Sequence, residues 1–498
     1  MNTILSLILV VPIVGAALIV LFEQFRNFIA KMKINTDLLQ HVFANLTAIT
    51  VLVLGVYSIF DNSLWNLNTT SDSLLKFGEL EAILVSIFAF LVWMAVLFSV
   101  DYMKNKKALG NYYGLIFTLL TGLSAVVLAS NYFTLFIGWE LFGLSGYALV
   151  AFDREKRGAV EASLKYFIMS TAGSMFIILA TALTYGIYGS VSFDTLHGIS
   201  KEGAMAGLIV ALFVIGFGVT AAMLLLNAWL PDAHSNAPST ISALLSGIVV
   251  KAGAFGIYRT LYWAFSGTGN NLLSNTSLVV SWLGILTMID GNFLVFAQFK
   301  RDDIIDLKRI LAYSTTVHLG FVVLGLGSGT SVGLTSSFLH IITHSLGKGM
   351  LFLLSGLLIA VTSSRDVRNM QGIGRQKPFL GIILTIGLLS LGGIPITGGF
   401  VSKLLIFVAT LNGNHTYAMN VVLVTFAGIN AILALAGYLL LLKYVVFDEP
   451  KEEKKEIKIP IFEGVVLSII AIVLIFIGLW PEKLIELIRE AVNALNLF

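Results

Sequence analysis

Four lysines, Lys165, Lys251, Lys348 and Lys403, stand inside long apolar stretches, together with Glu140, His340 and His344. A charge carried into hydrocarbon costs several kcal/mol unless it is paired or faces water, so such side chains mark ion paths. Histidine titrates near neutrality, and a desolvated lysine changes protonation readily. His340, His344 and Lys348 are spaced i, i+4, i+8, which places them on one helix face, with Ser337 extending the row. The chemistry open to that row is a proton relay through intervening water; the alternative is a polar stripe that bonds neighbouring helices. Glu140 and Lys165 lie on successive apolar stretches and are expected to pair. The pair is either a static link or a switch that couples the lysine's protonation to the carboxylate. Lys251 falls midway along its own stretch. Asp290 is a further carboxylate at membrane depth, either a site residue or a cap for a kink at Gly291, and His318 is a further candidate.

These residues need a membrane scaffold to hold them. The chain has 498 residues, of which 57% are hydrophobic and 12% charged, about half the charge of an ordinary soluble protein. About 14 apolar runs approach or exceed the ~20 residues that cross a bilayer: 3–22, 37–59, 80–101, 112–130, 132–152, 160–188, 205–229, 239–264, 277–299, 305–328, 331–362, 379–411, 418–447 and 460–480. The expected fold is all-α and polytopic, a single membrane domain over residues 1–498. The first run lacks a basic lead and a cleavage site and reads as a retained helix. Tyr112, Tyr113 and Trp480 are expected as interfacial anchors. There is no cysteine, which excludes disulfides, iron–sulfur clusters and thiolate metal sites from this chain. The net charge of +3 is carried by residues flanking the runs and does not point to nucleic acid.

The basic residues also orient the chain. Segments 26–33, 104–107, 154–157, 300–309, 365–377 and 443–458 follow odd-numbered runs and hold 22 of the 31 lysines and arginines. The loops after even-numbered runs hold Lys76, Lys201 and Arg259, and the C-terminal tail adds Lys483 and Arg489. Positive loops stay cytoplasmic, so a multi-pass protein of the cell membrane with both termini outside is expected. Lys454 and Lys455 read as a solvated face.

The twelfth run is interrupted by Gly392-Gly393-Ile394-Pro395-Ile396-Thr397-Gly398-Gly399, and such breaks persist only where protein or a polar cavity satisfies the backbone. Transporters place ion sites at such breaks. A weaker interruption is expected in the seventh run, where Gly216 and Gly218 precede Pro231. No dinucleotide fingerprint, phosphate loop, zinc-protease motif or Ser/His/Asp arrangement is apparent. Catalysis by this chain alone is not expected.

Five segments carry a family resemblance: Trp139-Glu140-Leu141; Ala162-Ser163-Leu164-Lys165-Tyr166-Phe167; Trp229-Leu230-Pro231-Asp232-Ala233-His234-Ser235-Asn236-Ala237-Pro238; Asp306 through Ser314; and Gly393 through Phe400. In this order the chain resembles the antiporter-like subunits of respiratory complex I, of energy-converting membrane-bound hydrogenases and of Mrp Na⁺/H⁺ antiporters. The resemblance implies 14 helices with discontinuous members and two inverted five-helix repeats, at 112–264 (helices 4–8) and 277–447 (helices 9–13). It also implies a hydrophilic axis along the membrane midplane. Glu140 and Lys165 match the modulating pair, Lys251 the central site, and His340, His344 and Lys348 the polar stripe of the second half-channel. Lys403 leads to the far side.

The chain departs from this pattern in the seventh helix. Counting back from Trp229, Thr220 falls where most relatives have lysine, Leu225 where they have proline and Asn227 where they have histidine. Thr220 carries no charge, so the first half either uses water or another residue, or is silent. A longer loop at 299–304 precedes Asp306, and the chain ends soon after helix fourteen, without the long lateral extension of the largest members.

The function expected is H⁺ translocation, or support of H⁺/Na⁺ exchange, within a larger complex. Lys251, His340, His344, Lys348 and Lys403 form the path, and Glu140 with Lys165 the coupling pair. The partners implied are other membrane subunits, antiporter-like and small, and hydrophilic redox subunits that carry iron–sulfur clusters. The alternatives are a subunit of an Mrp-type antiporter without redox partners, a free-standing transporter, and a largely structural spacer.

Overall fold

A computed structural model describes residues 3–60, 74–76, 78–104, 106–197, 199, 204–265, 271–450 and 458–495. Lys201, Lys451, Lys454 and Lys455 fall outside these described residues. Among the described residues, twelve helices are long and apolar enough to cross a membrane, and no strand forms beyond three isolated bridges. The other two expected crossings fall on interrupted helices, neither half of which spans a bilayer by itself. They are Ala204–Thr220 with Trp229–Asn236, and Pro378–Gly392 with Gly398–Leu411. Ordinals below follow the fourteen expected runs.

Side-chain caps begin several helices. Asn131 accepts from Thr134 N at the start of the fifth, Asp306 from Lys308 N and Arg309 N at the tenth, and Thr330 from Gly333 N at the eleventh, each satisfying backbone donors that a helix end leaves free. The third, fourth, eighth, tenth and eleventh helices form the buried centre, whereas the first, second, sixth and thirteenth turn most of their surface outward. Fourth and fifth helices meet through Gly122 and Gly138, and ninth and tenth through Gly284 and Gly320; a Cβ at any of the four would lie within 3.0 Å of the facing backbone. Small residues at such crossings are how membrane helices approach closely.

Three sequence expectations are corrected here. Tyr112 and Tyr113 are wholly buried, not interfacial: the Tyr112 hydroxyl bonds Thr240 at 2.6 Å and Ser99 at 3.0 Å. Arg259 is not a loop charge. It lies in the eighth helix, Ser239–Ala264, 1% exposed, and pairs with the equally buried Glu81 at 2.5 Å. Lys308 likewise belongs to the buried start of the tenth helix, where its Nζ donates to Ala237 O at 2.7 Å. Hydropathy counting misplaced both cations because each is held inside the bundle by groups distant in sequence, Arg259 by a carboxylate and Lys308 by a backbone carbonyl.

Candidate ion-translocation site

The central polar chain begins at the eighth helix. Residues 245–249 form a π-helical turn, a bulge that disturbs the regular pattern of carbonyl pairing. The carbonyl of Ser246 accepts from Lys251 Nζ, which also meets His344 Nδ1 of the eleventh helix at 2.7 Å. Two cations at that distance would repel by about 6 kcal/mol at an effective dielectric of 20. The pair therefore holds one excess proton at most, and with lysine donating, the imidazole accepts at Nδ1.

His318, His340, Lys348 and Lys403 continue the same chain. His318 of the tenth helix bonds His340 Nε2 through its Nδ1 at 3.0 Å and the Tyr438 hydroxyl through its Nε2 at 3.0 Å. Its ring centre lies 4.7 Å from that of His344. His340 Nδ1 reaches Ser402 Oγ at 2.9 Å. The next residue, Lys403, donates to Leu391 O at 2.6 Å and lies 4.8 Å from the centre of the Phe321 ring. Lys348 donates to Leu311 O at 2.6 Å and to Ser314 Oγ. A hydroxyl link joins the two lysines' partners, because Ser246 Oγ bonds Thr315 Oγ1 at 2.7 Å and Thr315 donates to Leu311 O at 3.0 Å. The row at i, i+4, i+8 thus reaches three different helices: His340 the twelfth, His344 the eighth and Lys348 the tenth.

The break in the twelfth helix explains the position of Lys403. Gly393 adopts a φ of 77°, and the turn leaves the Leu391 and Gly392 carbonyls free for the ammonium. On the far side of the break, a Cβ on Gly399 would lie 1.8 Å from Ser390 O, so glycine is needed for the two halves to approach.

The seventh helix is broken more strongly than its sequence suggested. Residues 221–228 leave the helical path, with Ala222 at φ 49° and Leu225 at φ 64°. Thr220, at the last position before the break, is buried. Asn227 donates to Asp290 Oδ2 at 2.6 Å, which places Asp290 at the seventh-helix break and not merely beside Gly291.

The expected Glu140–Lys165 ion pair is absent. Lys165, whose side chain is 44% exposed on the outer face of the sixth helix, pairs with Asp232, and Asp232 also accepts from Arg309 at 2.5 Å. Glu140 Oε1 is buried without a hydrogen-bond partner. Tertiary folding brings Asp232 between the sixth and tenth helices, a competitor that adjacency in sequence does not reveal. Sequence reasoning also passed over His234, fully buried against the Phe352 ring at 4.6 Å with neither ring nitrogen bonded. Its place in the Trp229–Pro238 motif was the available signal.

Residues 129–429 match the family described as NADH:quinone oxidoreductase/Mrp antiporter, transmembrane. The chain belongs to this family. All the residues from Glu140 to Lys403 discussed above lie within the matched segment. Among relatives, the chain is 30% identical to NADH-quinone oxidoreductase subunit N of Acidithiobacillus ferrooxidans, over 79% of this chain and 80% of that one. It is 26% identical to F(420)H(2) dehydrogenase subunit N of Methanosarcina mazei, over 88% and 86%. In fold it resembles a chain of the membrane-bound sulfane sulfur reductase, an archaeal respiratory membrane complex, with a TM-score of 0.86, 24% identity and coverage of 99% and 98%. A chain of the Mrp complex from Dietzia sp. superposes with a TM-score of 0.84 at 21% identity, over 99% and 97%.

Proposed function

We propose that this membrane subunit moves protons within a multisubunit complex, along Lys251, His344, His318, His340 and Lys403, with Lys348 as a second cationic station. The observation that carries this reading is the run of buried titratable groups joined across the eighth, tenth, eleventh and twelfth helices. Each neutral imidazole can accept at one nitrogen and donate at the other, so a proton arriving at His340 leaves through His318 without displacing a helix. No hydrogen bond joins His344 to His318, so that step requires His318 to exchange its Tyr438 bond for an intervening water. Lys165 faces outward, where a neighbouring membrane subunit approaches it, whereas Glu140 is only partly exposed. Release of Lys165 from Asp232 toward Glu140 is the coupling event. Residues 112–264 and 277–447 form two inverted repeats, a reading supported by the matching glycine crossings of the fourth–fifth and ninth–tenth pairs. The lysine- and arginine-rich loops face the cytoplasm and both termini face out.

The relatives' names favour an electron-driven complex, in which hydrophilic partners hold iron–sulfur clusters; the iron content and visible spectrum of the complex purified with its native partners test that point. A colourless assembly of membrane subunits would instead support the Mrp-type reading. For translocation itself, the test is ion movement in proteoliposomes of the assembled complex. Lys251→Met and Lys348→Met should each abolish it while the partners' chemistry continues. Unchanged ion stoichiometry in both variants would favour a structural spacer.

A further inference from the structure

Side chains of opposite charge stand at the two helix breaks. At the twelfth-helix break the freed carbonyls of Leu391 and Gly392 meet a cation, Lys403. At the seventh-helix break the partners come from the ninth helix, Asn271–Phe299. Thr287 Oγ1 accepts from Leu224 N at 3.1 Å, capping one donor of the break, and donates within its own helix to Leu283 O at 2.6 Å. Asp290, one turn further, accepts only from the Asn227 side chain. The backbone at the break therefore does not depend on the carboxylate for these bonds.

Asp290 stands nine residues from the end of its helix at Phe299, roughly 14 Å deep at 1.5 Å per residue. It is half-buried, and the side chains around it on this flank, Leu225, Ile289 and Phe293, are apolar and outward-facing. No cation pairs with it among the described residues. An amide donor supplies a hydrogen bond but no countercharge, and an unpaired charge at membrane depth is costly in general.

We propose that Asp290 is the proton-binding group of the seventh-helix break, the acidic counterpart of Lys403 in a half where position 220 is an uncharged threonine. Oδ1 gains and releases the proton, while Oδ2 keeps its bond from Asn227. This inference rests on the translocation reading above. Two measurements on the assembled complex test it. In membranes, dicyclohexylcarbodiimide, an apolar reagent that adds to protonated buried carboxyls, should modify Asp290, as located by mass spectrometry. Asp290→Asn, which retains an oxygen for Asn227, should assemble normally yet lower ion movement per turnover to less than half. If Asp290→Asn behaves as wild type while Lys251→Met is inactive, Asp290 is only an anchor and this proposal falls while the translocation reading stands. If neither variant loses ion movement, both fall. Should Asp290→Asn fail to assemble, the labelling decides: an adduct at Asp290 supports a protonated group, and an unmodified Asp290 overturns it.

Discussion

Replacing Glu81 by glutamine should be among the most damaging conservative changes in the protein. Glu81 and Arg259 are 3% and 1% exposed and meet at 2.5 Å. The guanidinium has one further acceptor, Val127 O at 3.3 Å, and its Nε has none. The rings of Phe255 and Trp263 cover it at 4.9 Å each. Glutamine keeps the shape and one oxygen acceptor but removes the countercharge. Leaving one member of a buried pair uncompensated costs about 3–5 kcal/mol, and the aromatic faces offset little of it because they already surround the cation in the wild type. Replacing both residues, Glu81→Gln with Arg259→Met, removes the stranded charge and should recover most of the loss. The assay is equilibrium unfolding of the purified protein by sodium dodecyl sulfate in mixed micelles, run as a double-mutant cycle. A single-variant loss below about 1 kcal/mol, or a double variant no better than Glu81→Gln, would refute the reasoning, because the charge would then have another route to water or another partner.

Two further outcomes follow from local geometry. Gly399→Ala drives a Cβ into the Ser390 carbonyl and should prevent stable assembly, seen as loss of the intact complex on native gels; a normal yield would show that the two halves of the twelfth helix can separate. Asp153, in the loop between the fifth and sixth helices, is clamped by Lys106 at 2.9 Å and Lys156 at 3.0 Å. Burial acts to raise its carboxyl, but the two lysines outweigh burial and hold it below the ordinary carboxylate range. A carboxyl lowered on folding stabilises the fold above its unfolded value, about 3.9, and loses that contribution as pH falls through the folded value. Asp153→Asn should therefore cost about 0.5–1 kcal/mol at neutral pH, since both lysines are largely exposed. The difference from wild type should shrink below the unfolded value and vanish only below the folded one; a gap that persists there would mean that packing, not charge, is responsible.

Hydropathy and residue type determined much of this protein. Runs of apolar residues must become helices in a bilayer, because no other open element satisfies its own backbone there. The i, i+4, i+8 spacing of His340, His344 and Lys348 gave their shared face, and Gly392 to Gly399 marked the twelfth-helix break. What no local rule could supply was the choice of partners. Lys165 had Glu140 as its neighbour in the sequence, yet Asp232 arrives from the seventh helix and takes the bond. Arg259 and Lys308 looked like loop charges until Glu81 and Ala237, from distant segments, were folded against them. The seventh-helix break was muted in the sequence because it uses Ala222 and Leu225 at positive φ in place of a glycine–proline run, and Thr287 of another helix holds it open. A charge at membrane depth announces itself by its cost alone, but the counter-group that makes it tolerable is chosen by packing among helices far apart in the chain, and only the tertiary structure decides that.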